Sequence, residues 1–298
     1  MERRRRTTLE IAKPKIIDFF ANAMEKIYTP KDLEDILISN RESWRIAEST
    51  SASNFIKFLI AEANIQEFEI KFPSSWTPKF TRYTRGEVST FDLLSSLRSD
   101  FYFSHYTAMY VHQLTEQVPK IIYLTWEQAQ KAGPSHHPLV QKKIDWAFRQ
   151  PPRISSNIAI FGDLQICLLY GTGNLGVTKI KGPEGDEIQV SDIERTLIDI
   201  TVRPFYAGGV FEVLKAYQLA TKKVSINKLA IMLKNLGYKY PYHQAIGFYL
   251  ERSSAYKESA LKIFRNIKKE YDFYLTYQME EKDMAYSEEW RLFYPKGF

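Results

Sequence analysis

Within the first ninety residues the spacing of apolar side chains switches once, from a repeat of about 3.6 to a repeat of about 2, which restricts this region to helices followed by a hairpin. After Pro14, apolar residues fall at Ile16, Phe20, Ala23, Met24 and Ile27, one face of a first helix. Thr29-Pro30-Lys31-Asp32 then supplies a hydroxyl cap, a proline at the first helical position and a first-turn carboxylate. These open a short second helix through Leu33, Ile36 and Leu37, and a polar connection, Arg41 to Arg45, follows it. A third helix begins after Thr50, with Ala52, Phe55, Ile56, Leu59, Ile60 and Ala63 on one face and Ser51, Asn54, Lys57 and Phe58 on the other. Beyond it the period changes: Phe68, Ile70 and Phe72 alternate with Glu67, Glu69 and Lys71, and Lys79 to Arg85 forms a second extended run.

Three helices and a β-hairpin in this order describe a winged helix-turn-helix, in which a helix enters the major groove and the hairpin lies on the DNA backbone. Four cations and no carboxylate lie between Lys71 and Arg85. The predicted DNA contacts are Ser51, Asn54 and Lys57 from the third helix, Arg41 and Arg45 from its approach, and Lys79, Arg82 and Arg85 from the wing. The competing reading is a protein-contact module whose basic hairpin is a solvated face. Charge alone does not separate the two, because residues 1–90 carry 15 cations and 13 carboxylates, and the Arg3–Arg6 tip accounts for the whole excess. That tip reads as a solvated tail or a phosphate-contacting arm.

The chain of 298 residues, 44% hydrophobic and 26% charged, has the balance of a folded protein and the length of two domains. A single cysteine, Cys167, sits among apolar neighbours and points to a buried thiol in a reducing, cytoplasmic setting. No apolar window of membrane-spanning length and no signal-peptide core is present, so no membrane partner is expected.

From Phe91 onward, helices alternate with short strands. Residues 91–98 and 104–114 read as helices. Extended runs fall at 120–125, 158–161, 164–170, 176–181 and 187–190. The last third is helical over about 193–203, 210–217, 225–236, 241–252 and 257–274, with 290–294 as a final strand. The fold class expected is therefore α+β, a winged helix-turn-helix over residues 1–87 and a mixed α/β domain over 88–298. Ser191-Asp192-Ile193-Glu194 reads as a Ser-x-x-Glu capping box, and Arg195 with Asp199 as a bracing i, i+4 ion pair.

Signals for catalysis are weak. Gly171 to Gly176 spells G-x-G-x-x-G, but a β-like run follows where a dinucleotide site needs a helix, so the glycines read as a turn between strands. His105 and His112 lie seven apart, too far along a helix to chelate one ion, and His136, His137 and His243 have no Cys partners nearby in sequence. No catalytic residue, metal ligand or cofactor site is assigned. A DNA-associated enzyme such as a nuclease, targeted by the winged helix, is the alternative function.

The block Val190-Ser191-Asp192-Ile193-Glu194-Arg195-Thr196-Leu197-Ile198-Asp199, with Arg203-Pro204, Gly208-Gly209 and Glu212-Val213-Leu214 behind it, resembles the C-terminal domain of abortive-infection AbiE-type antitoxins. Phe103 to Ala108 with His112 to Pro119, and Ala245 to Glu251, are similar to two further blocks of that family. Gln113 stands where the family often has glycine, and the wing ends in Thr84-Arg85-Gly86-Glu87 without the usual aromatic close. The resemblance implies an antitoxin of a type IV toxin–antitoxin system, in phage defence, that represses its own operon by binding promoter DNA. It further implies antagonism of a nucleotidyltransferase-like toxin without a stable complex, and no cofactor.

Overall fold

The computed structural model describes residues 7–74, 79–128, 138–171 and 173–298, which form two compact units, Met1–Ser99 and Asp100–Phe298. The expected positions Arg3–Arg6, His136 and His137 lie outside the described residues. Among the described residues no helix is long and apolar enough to cross a membrane.

In the first unit, α1 (Thr8–Asn22) begins ahead of Pro14, not after it. Thr7 Oγ1 accepts the Glu10 amide and the Glu10 carboxylate accepts the Thr7 amide, a capping box that satisfies first-turn donors. The buried stripe Ala12, Ile16, Phe20 runs unbroken past the proline. After β1 (Ile27–Tyr28), α2 (Pro30–Trp44) is capped by Thr29 and Asp32 as expected, but it runs on through the supposed polar connection. Its last residue explains why: the buried Trp44 ring packs edge-on to Phe19 and against Phe55. Arg45, at φ 55°, then turns the chain in the left-handed region. Next come α3 (Ala52–Glu62), capped by Ser51, and the strands β2 (Ile65–Ile70) and β3 (Phe80–Arg85). β2 pairs antiparallel with β3 from Ile65↔Arg85 to Ile70↔Phe80, and β1 closes the other edge of β3. The core under this sheet is Ile16, Phe20, Leu33, Leu37, Phe55, Leu59 and Ile65. α4 (Thr90–Ser95) completes the unit. The unit extends past the expected boundary near Glu87 because the Arg82 guanidinium donates to the carbonyls of Ser96 and Leu97.

The second unit is built on β4 (Phe101–Phe103), α5 (His105–Val111), β5 (Ile121–Glu127), α6 (Gln141–Arg149), β6 (Ile158–Phe161), β7 (Leu164–Gly171), β8 (Val177–Lys181) and β9 (Glu187–Ser191). Its six-stranded sheet has the order β6-β7-β5-β4-β9-β8. β5 and β7 run parallel over seven paired positions, β4 runs against β5, and β9 runs with β4. Strand direction therefore reverses between β5 and β4. Then come α7 (Ile193–Val202), a 3-10 turn at Pro204–Tyr206, α8 (Val210–Ala220), α9 (Ile226–Leu236), α10 (Tyr242–Arg252) and α11 (Glu258–Arg265). A small sheet of β10 (Phe273–Tyr274), β11 (Met284–Ser287) and β12 (Leu292–Pro295) closes the chain. α11 ends well before Tyr274, where sequence periodicity carried it, since the apolar residues beyond it serve β10. α7 is buried along eight of its ten residues, so it is the hub on which the other helices pack.

Candidate nucleic-acid interface and a polar cleft

α3 is amphipathic in the sense that matters for a reading helix. Phe55 and Leu59 are fixed in the core, while Ser51, Asn54 and Lys57 are exposed. Ser51 also accepts the Asn54 amide at 3.2 Å, so its hydroxyl is partly committed to capping. Arg45 is exposed at the turn that leads toward this helix, and Lys79 is exposed but paired with Glu69.

The other three predicted contacts are spent internally. Arg41 donates to the carbonyls of Ala47 (2.6 Å) and Thr50 (3.0 Å), tying the end of α2 to the start of α3. Arg82 is only 8% exposed and donates to Thr81, Ser96 and Leu97 carbonyls. Arg85 donates to the carbonyls of Ala21 and Ala23, at the end of α1. Arg41, Arg82 and Arg85 are thus corrected from DNA contacts to framework ties. A guanidinium with five donors satisfies several orphan carbonyls at once, and a sequence count of cations cannot separate that use from a phosphate contact.

Charge is concentrated elsewhere. Residues 213–269 carry twelve cations and two carboxylates. Several are committed: Lys228 pairs with Asp192 and Glu194, and Arg265 with Glu251 and Glu289. Lys222, Lys234, Lys239, Lys257 and Lys262 are exposed, with no ion-pair partner among the described residues.

A second feature lies at the carboxyl ends of β5 and β7, the position where α/β sheets open a crevice. It is a polar cleft of about 190 Å³, lined among others by Tyr102, His105, Tyr170, Arg195, Asp199, Arg203 and Tyr238. The α7 ion pair expected from the sequence is its floor: Arg195 Nε donates to Asp199 Oδ1 at 2.8 Å, with both side chains almost wholly buried. Arg195 also donates to the Leu175 carbonyl at 2.7 Å, which clamps the glycine-rich turn between β7 and β8. Burial works against the charge of Arg195, but the fields of Asp199 and Tyr102 outweigh it and hold the guanidinium above its ordinary range. Burial pushes the Asp199 carboxyl up against the opposing pull of Arg195.

The cap of α7 differs from the expected box. Asp192, not Ser191, accepts the Arg195 amide (2.8 Å), and Ser191 Oγ is paired with Thr196 Oγ1. Glu194 accepts the Ser225 amide at 2.7 Å, the N-cap of α9. Burial disfavours its charge, but the Ser225 amide and Lys228 more than offset this, so its carboxyl lies below the ordinary range. The spacing alone could not reveal this, because a Ser-x-x-Glu box and an Asp cap one residue later share the same letters.

His105 opens α5 at φ 49°, an uncommon conformation for a residue with a β-carbon. Its Nδ1 is held by Ser104 Oγ at 2.9 Å, and Ser104 is held in turn by Thr125 Oγ1 at 2.7 Å. Burial, then Arg203 and Arg195, drive its pKa well below the ordinary value, so the ring is neutral. His243 is brought down to about 4, chiefly by burial. His112 Nε2 donates to the Ser191 carbonyl and serves structure. Cys167 is buried, and burial raises its thiol to about 11, consistent with an inert core residue.

These histidines set a pH dependence. Their folded-state pKa values are depressed, so below about pH 6.5 the unfolded chain takes up protons that the folded chain refuses. Their stabilisation is complete above that pH and is lost as pH falls through 6.5 toward the folded values. We expect each of His105 and His243 to remove up to about 1.4 kcal/mol of stability per pH unit at the steepest. Urea unfolding at pH 7 and 5.5 checks this, and His105→Asn, which tolerates positive φ, should flatten the dependence.

No protein-family model and no curated protein matches the chain. Among solved structures, the RV2827C protein from Mycobacterium tuberculosis is similar in fold, with a TM-score of 0.60 at 13% identity. The similarity covers 98% of this chain and 92% of that one, so it includes both compact units.

Proposed function

We propose that this chain is a DNA-binding antitoxin that represses its own operon through an N-terminal winged helix and counteracts a nucleotidyltransferase-like toxin without a stable complex. The single observation that carries the DNA reading is the α3 face, where Ser51, Asn54 and Lys57 are exposed on a helix whose other side is locked by Phe55 and Leu59. The order of helices, β2 and β3 supports a winged module, with β1 as the third strand. The antitoxin reading rests on the residue blocks around Glu194-Arg195-Thr196, Phe103 to Ala108 and Ala245 to Glu251.

The interface in this reading is narrower than the sequence implied. It consists of Arg45, Ser51, Asn54 and Lys57, with Lys79 on the wing once Glu69 yields it to a phosphate. The exposed lysines between Lys222 and Lys262 add positive charge in the second unit, which favours polyanions in general.

The test is a shift assay at fixed salt on the DNA upstream of its own reading frame. Asn54→Ala should cost about 1–3 kcal/mol and relax sequence preference, while Lys57→Ala should weaken binding to all sequences and lower the salt slope by about one. Arg82→Ala should act through folding of the unit and not through the salt slope. Unchanged binding by an Asn54→Ala, Lys57→Ala double variant sinks the assignment.

A further inference from the structure

We propose that the cleft at the carboxyl ends of β5 and β7 binds a small, flat organic anion, a carboxylate or a phosphate ester, whose charge is taken by Arg203 and whose neutral hydrogen-bonding partners are His105 and Tyr238. A volume of about 190 Å³ suits a small molecule.

Charge points to the sign of the ligand. Asp199 is offset by Arg195 at 2.8 Å. Glu127, at the end of β5, accepts the Tyr102 hydroxyl at 2.6 Å through Oε1, while its Oε2 is buried beside Gly171 of the lining with no hydrogen-bond partner among the described residues. Arg203 is the exposed charge of the lining: it acts on Asp199 only through its field, and among the described residues its guanidinium has no hydrogen-bond or ion-pair partner. Its backbone, by contrast, is pinned, since its amide donates to the Asp199 carbonyl and its carbonyl accepts the Tyr206 amide. A fixed stem with a free guanidinium is preorganised for bidentate capture of a carboxylate or phosphate.

Tyr102, Thr125 and Tyr170 of the lining have partners within the fold, which leaves His105 and Tyr238 with hydrogen-bonding capacity to spare. His105 is 6% exposed, and its ring nitrogen opposite Ser104 has no partner among the described residues. A neutral ring offers a donor on one nitrogen and an acceptor on the other. The positive φ of His105 costs on the order of 1–3 kcal/mol and persists under constraint, here from Ser104 and from the Tyr206 ring, edge-on at 5.3 Å. The Tyr238 hydroxyl likewise has no partner among the described residues, and Leu169, Val202 and Leu236 supply the apolar walls.

Titration calorimetry on the full chain with phenyl phosphate, benzoate and phenol tests the site independently of DNA binding. The expected result is binding of at least one of the two anions at about 1 mM or tighter, none by phenol, and a loss of about tenfold or more in Arg203→Ala. Arg203→Ala should keep the wild-type circular dichroism, since its guanidinium supports no fold contact, and Lys222→Ala should bind like wild type. Binding of phenyl phosphate alone identifies a phosphate-ester site, and of benzoate alone a carboxylate site. Absence of binding by both anions, equal binding of phenol, or unchanged affinity in Arg203→Ala overturns the proposal.

Discussion

Arg195→Ala is expected to lower the unfolding free energy of the second unit by about 3–5 kcal/mol in urea titration at pH 7. The pair it breaks is almost wholly buried, so Asp199 would be left as an uncompensated charge beneath the cleft, which is costlier than the lost Coulomb attraction itself. The same guanidinium holds the Leu175 carbonyl, so the turn between β7 and β8 should loosen as well, visible as faster amide exchange there. Removing both charges is a different experiment. An Arg195→Met, Asp199→Leu double variant should recover most of the stability, because apolar groups of similar volume need no partner. If the double variant were as unstable as Arg195→Ala, packing and the Leu175 contact would carry the cost, and the charge argument would fail.

Gly247→Ala is the second large effect. Gly247 lies in the buried α10, and a β-carbon there would stand 2.1 Å from Trp290 Cζ3 and 2.4 Å from Cη2. Trp290 has nowhere to go: its ring is fully buried, and its Nε1 donates to Glu251 Oε2 at 2.9 Å. Overpacking usually costs about 1–3 kcal/mol, and a clash this close with a pinned ring belongs at or above the top of that range. Thermal unfolding should show the loss, and Gly247→Ala with Trp290→Leu should be more stable than Gly247→Ala alone. Equal stability of the two would mean that the helix shifts instead of the ring.

The arginines show how far cation counting reaches. Arg41, Arg45, Arg82 and Arg85 are equivalent in a linear reading of the basic hairpin and its approach, and only Arg45 is left exposed and uncommitted. The cleft was legible only in fragments. The Arg195–Asp199 pair follows from helical spacing, but Tyr102 and His105, in β4 and at the start of α5, meet Tyr238, just beyond α9, only in the tertiary structure. The positive φ of His105 has no sequence signature, since glycine or asparagine would be the ordinary residue there.

Local information, by contrast, was sufficient for most elements. The Thr29 and Ser51 caps, the alternation through β2, the apolar run of β5 and the turn glycines before β8 are each set by neighbours within a few residues, where helix capping and strand pleating act. The exceptions are those in which a distant partner outbid the local rule. Trp44 prolongs α2 because its ring finds Phe19 and Phe55, Glu194 reaches the Ser225 amide of α9, and Arg82 draws α4 into the first unit. Periodicity and capping residues determined most helices and strands by themselves, but α6, β4 and β11 were not read from them, and Ile27 and Phe273–Tyr274, helical by periodicity, are strand. Which polar side chains are free to meet a ligand was decided only in the tertiary structure, because buried carbonyls and charges must find partners and take them from wherever in the chain a donor is brought close.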